Sequence, residues 1–255
     1  KCYVMHVNNM YVRKGEIEPS KLLMKTDVDL QVKELSIKKE IENMLAIIAS
    51  DKAPAGFCQE CGGPSSCPLP SECWDFLPQS NVFHLYMGGK KRNELFAMGV
   101  YGLKDIPDDF KLTTNQTIQR ECAKSKNTYV DKQKIKTFID SLQFPLYFLD
   151  FETYNLAIPL FDGTSPYQQI PFQFSLHVMD SFEGSLKHYP FLASDSDDPR
   201  EAFLSSLKNV IGLQGSVLAF NQTFEKSRLK DLAKDFPMHK DWIEALLGRF
   251  VDLAI

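Results

Sequence analysis

Apolar residues run almost continuously through two short segments of the second half of the chain, and both segments end in acidic residues. Residues 146–152 read LYFLDFE, and residues 217–225 read VLAFNQTFE. Apolar runs of this length are typical of strands buried on both faces in the middle of a sheet. The pattern therefore predicts two adjacent central strands that carry carboxylates at their exposed ends.

The remaining periodicity predicts the elements around these two strands. The expected strands are residues 3–7, 146–151, 172–179, 185–192 and 216–220, with a last strand that begins near Val251. The expected helices are residues 27–49, 113–123, 131–142, 199–211, 222–234 and 239–248. Residues 81–101 are expected to form a hairpin or strand, a Gly-Gly turn and the start of a helix. This order predicts an α/β domain with a mixed sheet and flanking helices, preceded by a smaller α+β region.

The acidic residues indicate a metal site. Asp150 and Glu152 are two positions apart on a strand, so they project from the same side. Two carboxylates this close repel each other unless a cation or a proton lies between them, which favours Mg²⁺ or Mn²⁺. Glu225 falls in the first turn of a helix, where it complements the helix dipole, and Asn221 is a natural N-cap. The alternative interpretation is therefore a solvated acidic strand end followed by a capped helix.

Four cysteines lie within sixteen residues of a segment rich in glycine and proline: Cys58, Cys61, Cys67 and Cys73. A segment of this composition cannot bury enough apolar surface to hold itself together, so the sulfurs are expected to bind a metal. Zinc and an iron–sulfur cluster both accept four thiolates. Disulfides require an oxidising compartment, and four unligated cysteines are the remaining alternative.

The composition is that of a globular protein without a strong charge signature. The chain has 255 residues, 44% of them hydrophobic, and a net charge of −4. This charge argues against a protein held on nucleic acid by bulk electrostatics, although Lys90, Lys91 and Arg92 form a small basic cluster or a solvated turn. No apolar stretch reaches the length of a membrane span, and no signal peptide opens the chain. We therefore expect a soluble cytoplasmic protein that does not contact membranes.

The two acidic segments resemble motifs of a known enzyme group. FLDFET is similar to the first motif, and FNQTFE to the second, of the DnaQ-like, or DEDD, 3′-to-5′ exonucleases of ribonuclease H-like fold; Glu225 stands where that group usually has Asp. The stretches PLYFLDFETYNLAIPLFDG, SPYQQIPFQFSLHV and VLAFNQTFEKSRLKDLA look still more like one uncharacterised bacterial family. In that family such a domain follows an iron–sulfur nuclease module of the RecB, or PD-(D/E)XK, type.

The resemblance implies a domain organisation. Residues 1–80 would be the end of the RecB-like module with its cysteine loop, residues 81–130 a connecting region, and residues 131–255 the ribonuclease H-like exonuclease domain. The Glu-x-Lys strand of the module is absent, so no nuclease activity is assigned to the first part. The cysteines would hold a 4Fe–4S cluster, with zinc as the alternative.

The resemblance also implies two-metal hydrolysis of phosphodiester bonds, with single-stranded 3′ ends of DNA or RNA as the partner. Mg²⁺ or Mn²⁺ would be bound by Asp150, Glu152 and Glu225, with Asp252 as a weaker fourth candidate. Asn221 and Phe151 would contact the substrate.

The third motif and its general base would follow Ile255, and His177 and His188 are not expected to replace that base. Both chain ends read as interruptions of a longer protein, so we expect poor nuclease activity from this chain. The competing interpretation is a catalytically incomplete nucleic-acid-binding or protein-interaction module with a structural metal cluster.

Overall fold

The computed structural model describes residues 1–50, 63–68, 70–194 and 197–254. The chain divides into two compact units, one made of Lys1–Ser36 with Lys136–Ile255 and the other of Ile37–Ile135. The first unit contains both acidic segments, and the second contains the cysteine segment. The boundaries expected after residues 80 and 130 stay predictions.

The strands of the described residues all lie in the first unit: β1 Tyr3–Val7, β2 Leu23–Asp27, β3 Leu146–Tyr154, β4 Ile170–Met179, β5 Lys187–Leu192, β6 Ser216–Ala219 and β7 Phe250–Asp252. The helices in chain order are α1 Pro19–Leu22, α2 Asp29–Glu34, α3 Ile37–Ile48, α4 Pro70–Cys73, α5 Lys90–Ala97, α6 Thr114–Ser125, α7 Lys132–Ser141, α8 Pro199–Val210, α9 Thr223–Asp235 and α10 Lys240–Leu247. In the part of the chain that the structure describes, no helix is long and apolar enough to cross a membrane.

Within the described residues, the main sheet of the first unit has five strands in the order β5-β4-β3-β6-β7. Strands β3, β4 and β5 are antiparallel neighbours, whereas β6 and β7 run parallel to β3 and to each other. This confirms the predicted mixed α/β sheet with flanking helices. It also places the carboxyl ends of β3, β6 and β7 at one edge of the sheet.

The core of this unit lies on one face of the sheet. Tyr147, Leu149 and Phe151 on β3 are buried, and they pack in one cluster with residues of α8, α9 and α10. Asp150 and Glu152 alternate with them and are exposed on the opposite face. Strand β6 is buried along its whole length, as its continuous apolar run predicts.

Gly215 allows the backbone just before β6 to lie close to the backbone of Pro145. Gly215 precedes the strand with φ +95°, and a Cβ atom built on it would lie 2.1 Å from the carbonyl oxygen of Pro145. An L side chain is disfavoured at this φ and would also clash with the backbone, so the position requires glycine.

The loop between β3 and β4 is anchored to the start of the chain and to α8, within the first unit. The Arg13 N–H donates to the Thr164 carbonyl at 3.0 Å, and the Gly163 N–H donates to the Arg13 carbonyl at 2.9 Å. The buried guanidinium of Arg200 donates to the Asp162 carbonyl at 3.1 Å. It also pairs with two carboxylates, those of Asp198 at 2.6 Å and Asp235 at 2.7 Å. These contacts hold the segment that leaves the acidic end of β3.

Two predicted elements are wrong in detail. The single helix expected over residues 27–49 is instead the end of β2 followed by α2 and α3, because residues 23–27 pair with β1 and the backbone of Leu35 is extended. The strand expected near residue 82 is a 3-10 helix over Val82–His84, in which the Asn81 side chain accepts a hydrogen bond from the Phe83 N–H. The helix after the Gly-Gly turn is present as α5.

The second unit has its own small core around Trp74, Phe83 and Leu95. Its helix α6 begins with a capping box, in which Thr113 and Gln116 each bond the other's backbone. The half-buried Cys67 packs against this core, whereas Cys73 is exposed.

Candidate functional site

The candidate site lies where the parallel strands of the sheet end. Asp150 and Glu152 project from the last part of β3, and Asp252 closes β7. Glu225 lies in the first turn of α9, which follows β6. We call these four residues, Asp150, Glu152, Glu225 and Asp252, the acidic edge. The sheet order brings them to one end although a hundred residues separate the first from the last.

Glu225 is the buried member of the acidic edge. Its residue is only 4% exposed, and its Oε2 atom has no hydrogen-bond partner among the described residues. Burial raises the pKa of the Glu225 carboxyl, and the negative charges of Asp150 and Asp252 raise it further, while its own backbone N–H opposes the change. Asp150 and Asp252 therefore both lie within electrostatic range of Glu225.

Asp252 has a clear structural task at this edge. Its Oδ1 atom accepts from the N–H groups of Asn221 and Ala254, both at 2.9 Å, and its Oδ2 atom accepts from the Gln222 N–H at 3.2 Å. The carboxylate thereby joins the end of β7 to the turn between β6 and α9. The sequence identified Asp252 only as an acidic residue and did not indicate this role.

The N-cap role predicted for Asn221 is wrong. Asn221 has φ +59° and lies one residue before the N-cap position, which Gln222 occupies without a side-chain capping bond. The physical reason is that Asp252 of the neighbouring strand already supplies the acceptor for this turn. Asn221 itself is exposed, so its side chain stays available to a ligand.

Phe151 differs from its expected role as a substrate contact. The ring is buried in the core and packs edge-on against Phe203, with ring centroids 4.9 Å apart. Phe220 is not among the predicted site residues, but it follows β6 at the acidic edge and is 75% exposed. Its signal in the sequence is an aromatic residue between a buried strand and the polar run NQT.

The acidic edge provides oxygen ligands of the kind that Mg²⁺ and Mn²⁺ prefer. The buried carboxylate oxygen of Glu225 without a partner is what such an ion would satisfy. Among the residues that the structure describes, however, no group of three or more Asp, Glu, His or Cys side chains is arranged to enclose a metal ion. The residue types fit a divalent ion, while their side chains are not gathered around one point.

The cysteine site stays a prediction. Cys58 and Cys61 lie outside the described residues. Cys67 and Cys73 are described, and the first is half-buried whereas the second is exposed.

Comparisons with known proteins give two matches. Residues 147–255 match the family model of a domain of unknown function, DUF2779. The chain is also similar to Uncharacterized protein UU173 of Ureaplasma parvum serovar 3 (strain ATCC 700970), with 25% identity over 219 residues, which is 82% of this chain and 31% of that protein. The chain thus spans about a third of the length of this relative. No solved structure matches it.

These matches agree with the expected resemblance to an uncharacterised family, since one is to a domain of unknown function and the other to an uncharacterised protein of a bacterium. The family match begins at the second residue of β3 and covers the rest of the main sheet together with the acidic edge. Neither description names an activity or a ligand.

Proposed function

We propose that the first unit is a metal-dependent nuclease domain of ribonuclease H-like fold, which hydrolyses phosphodiester bonds from the 3′ end of single-stranded DNA or RNA. The observation that carries the proposal is the buried Glu225 carboxyl, whose Oε2 atom has no hydrogen-bond partner among the described residues and which lies within electrostatic range of two further carboxylates at the end of parallel strands. A folded protein bears the cost of burying such a group without a partner mainly where the group has a task.

The order of elements supports the ribonuclease H-like assignment. Three antiparallel strands are followed by a helix, a strand, a helix pair and a further strand parallel to the first. This is the order that the resemblance to the DnaQ-like exonucleases implies.

The chain's own residues would divide the work by their exposure. Asp150 and Glu152 are exposed, so they would bind the ion that contacts the phosphate. The buried Glu225 would add its negative charge from the interior of the protein. A bound cation would oppose the effect of burial and of the neighbouring aspartates, which raise the pKa of the Glu225 carboxyl. A divalent ion, when bound, polarises the phosphate and lowers the pKa of water. The exposed ring of Phe220 would offer a stacking surface to a base.

The decisive assay uses the 255-residue chain with single-stranded DNA and RNA labelled at the 5′ end, in Mg²⁺ or Mn²⁺. Because poor activity is expected from this chain, the expected result is a faint ladder of shortened products that is absent for Glu152→Gln and in the presence of a chelator. A matched control is Glu183→Gln, an exposed glutamate away from the acidic edge. Degradation that persists in Glu152→Gln would show that another protein or another site is responsible.

A second candidate function is a binding module for single-stranded nucleic acid without catalysis. Two observations favour it: the side chains of the described residues do not enclose a metal ion, and Asp252 is engaged with backbone N–H groups. Oligonucleotide binding without any degradation, and without a change in Mn²⁺, would select this function over the nuclease.

A further inference from the structure

Polar side chains of β4 and β5 lie next to the acidic edge, on the face of the sheet opposite the apolar core. Asp150 on β3 is paired directly with Ser175 on β4, and the next row contains Phe148, His177 and His188. Residues that are directly opposite in a sheet project from the same face. Ser175, His177 and His188 therefore share the face of Asp150 and Glu152, opposite the apolar core.

The two histidines form a close pair. Their rings are stacked with centroids 4.2 Å apart and an angle of 11° between the ring planes. The His188 Nε2 atom lies 3.1 Å from the Ser175 hydroxyl, which orients that ring. His188 is exposed and His177 is half-buried, and within the described part of the chain the His177 ring takes part in no hydrogen bond.

We propose that His177 and His188 form a phosphate-binding subsite for the backbone of a single-stranded nucleic acid whose end lies at the acidic edge. The inference rests on the proposed function and extends it, because it specifies the path of the nucleic acid over the sheet. The nucleic acid would run from β3 across β4 to β5. Two strand spacings separate Asp150 from the β5 side of the pair, about 10 Å. The subsite would thus contact a phosphate other than the one beside the carboxylates.

The geometry favours a phosphate over other ligands. Each imidazole covers one face of the other, so the ring edges, which carry the N–H donors, are what the pair presents to a ligand. The ring lone pairs lie in two nearly parallel planes, which does not favour their convergence on one metal ion. An imidazole N–H donates a hydrogen bond to a phosphate oxygen, which only accepts.

The experiment compares a long and a short substrate in the double variant His177→Gln with His188→Gln. The long probe is a fluorescein-labelled oligothymidylate, with affinity measured by anisotropy in the Glu152→Gln background and KM measured with Glu152 intact. The short probe is bis(p-nitrophenyl) phosphate, a diester with a single phosphate. The control variant is His84→Gln, an exposed histidine of the second unit. Should the double variant fail to fold, the exposed His188→Gln alone replaces it.

We expect about a tenfold loss of oligonucleotide affinity, which corresponds to about 1.4 kcal/mol, with hydrolysis of the short diester unchanged. A structural role would lower both readouts together, and that result would overturn the subsite. Unchanged oligonucleotide affinity would overturn it as well while leaving the nuclease proposal standing. If the unsubstituted protein neither binds the oligonucleotide nor hydrolyses the diester, the proposed function fails, and the subsite fails with it.

Discussion

Replacing the buried carboxyl by a neutral group of the same shape should stabilise this protein when no metal is present. Glu225→Gln removes the charge of a residue that is only 4% exposed and has a carboxylate oxygen without a hydrogen-bond partner among the described residues. Two aspartates lie within electrostatic range of this carboxylate. The glutamine side chain keeps the cost of a buried polar group without a partner, about 1–3 kcal/mol, and removes only the further cost of the charge, which is of similar size. The variant loses a favourable interaction with the helix N-terminus of about 0.3–1 kcal/mol. The net gain is about 1–2 kcal/mol, or roughly 3–6 °C in Tm.

The pH dependence has a definite sign. The pKa of Glu225 lies above the ordinary value of 4.5 in the folded protein, so between these two values the folded form binds more protons than the unfolded form. The contribution of Glu225 to stability is therefore greatest at low pH and falls as the pH rises through the folded pKa. The advantage of Glu225→Gln should be absent below pH 4.5 and should grow toward neutral pH.

The assay is thermal and urea unfolding in a chelator, repeated with Mn²⁺. The matched control is Glu201→Gln, because Glu201 is the third residue of α8, as Glu225 is of α9, but is exposed. The control should be slightly destabilised. Mn²⁺ should stabilise the unsubstituted protein, by about 2.7 kcal/mol at a hundred times Kd, and Glu225→Gln clearly less. Equal destabilisation of both variants in the chelator would refute the reasoning about the buried charge.

The remaining predictions concern the frame around the site and the cysteines. Gly215→Ala should lower the free energy of unfolding by about 2–4 kcal/mol, because it combines a positive φ with a backbone oxygen 2.1 Å from the new Cβ. Gly163 also has a positive φ but has open space around it, so Gly163→Ala should cost only about 1 kcal/mol. Equal losses in urea unfolding would contradict the clash. Arg200→Met should cost about 3–5 kcal/mol, because it leaves two aspartates without their buried partner, and a loss below 1 kcal/mol would show that water replaces the guanidinium. Protein purified without oxygen should contain iron and sulfide, or stoichiometric zinc. The variant Cys67→Ser should lack this metal. Metal-free unsubstituted protein would exclude both centres.

Local sequence patterns predicted most of the strands of the main sheet and of the helices that flank it. The predicted strands and helices from residue 146 onward match β3 to β7 and α8 to α10 within a few residues, because each has a strong period and clear end signals. The strand-end acids were visible for the same reason. The helix expected over 27–49 failed because helical periodicity near residue 27 competes with strand pairing, and pairing depends on a partner far along the chain.

What the sequence by itself determined is the type of each element and the presence of carboxylates at strand ends, since both follow from neighbours along the chain. Only the tertiary structure decided which acid is buried, which one supports a turn, and which aromatic ring is exposed. Glu225 is desolvated by the packing around it, Asp252 accepts hydrogen bonds from a segment thirty residues away in sequence, and Phe151 lies on the face covered by helices. Burial and charge proximity are properties of the assembled sheet, because they depend on which strands become neighbours and not on the residues adjacent in sequence.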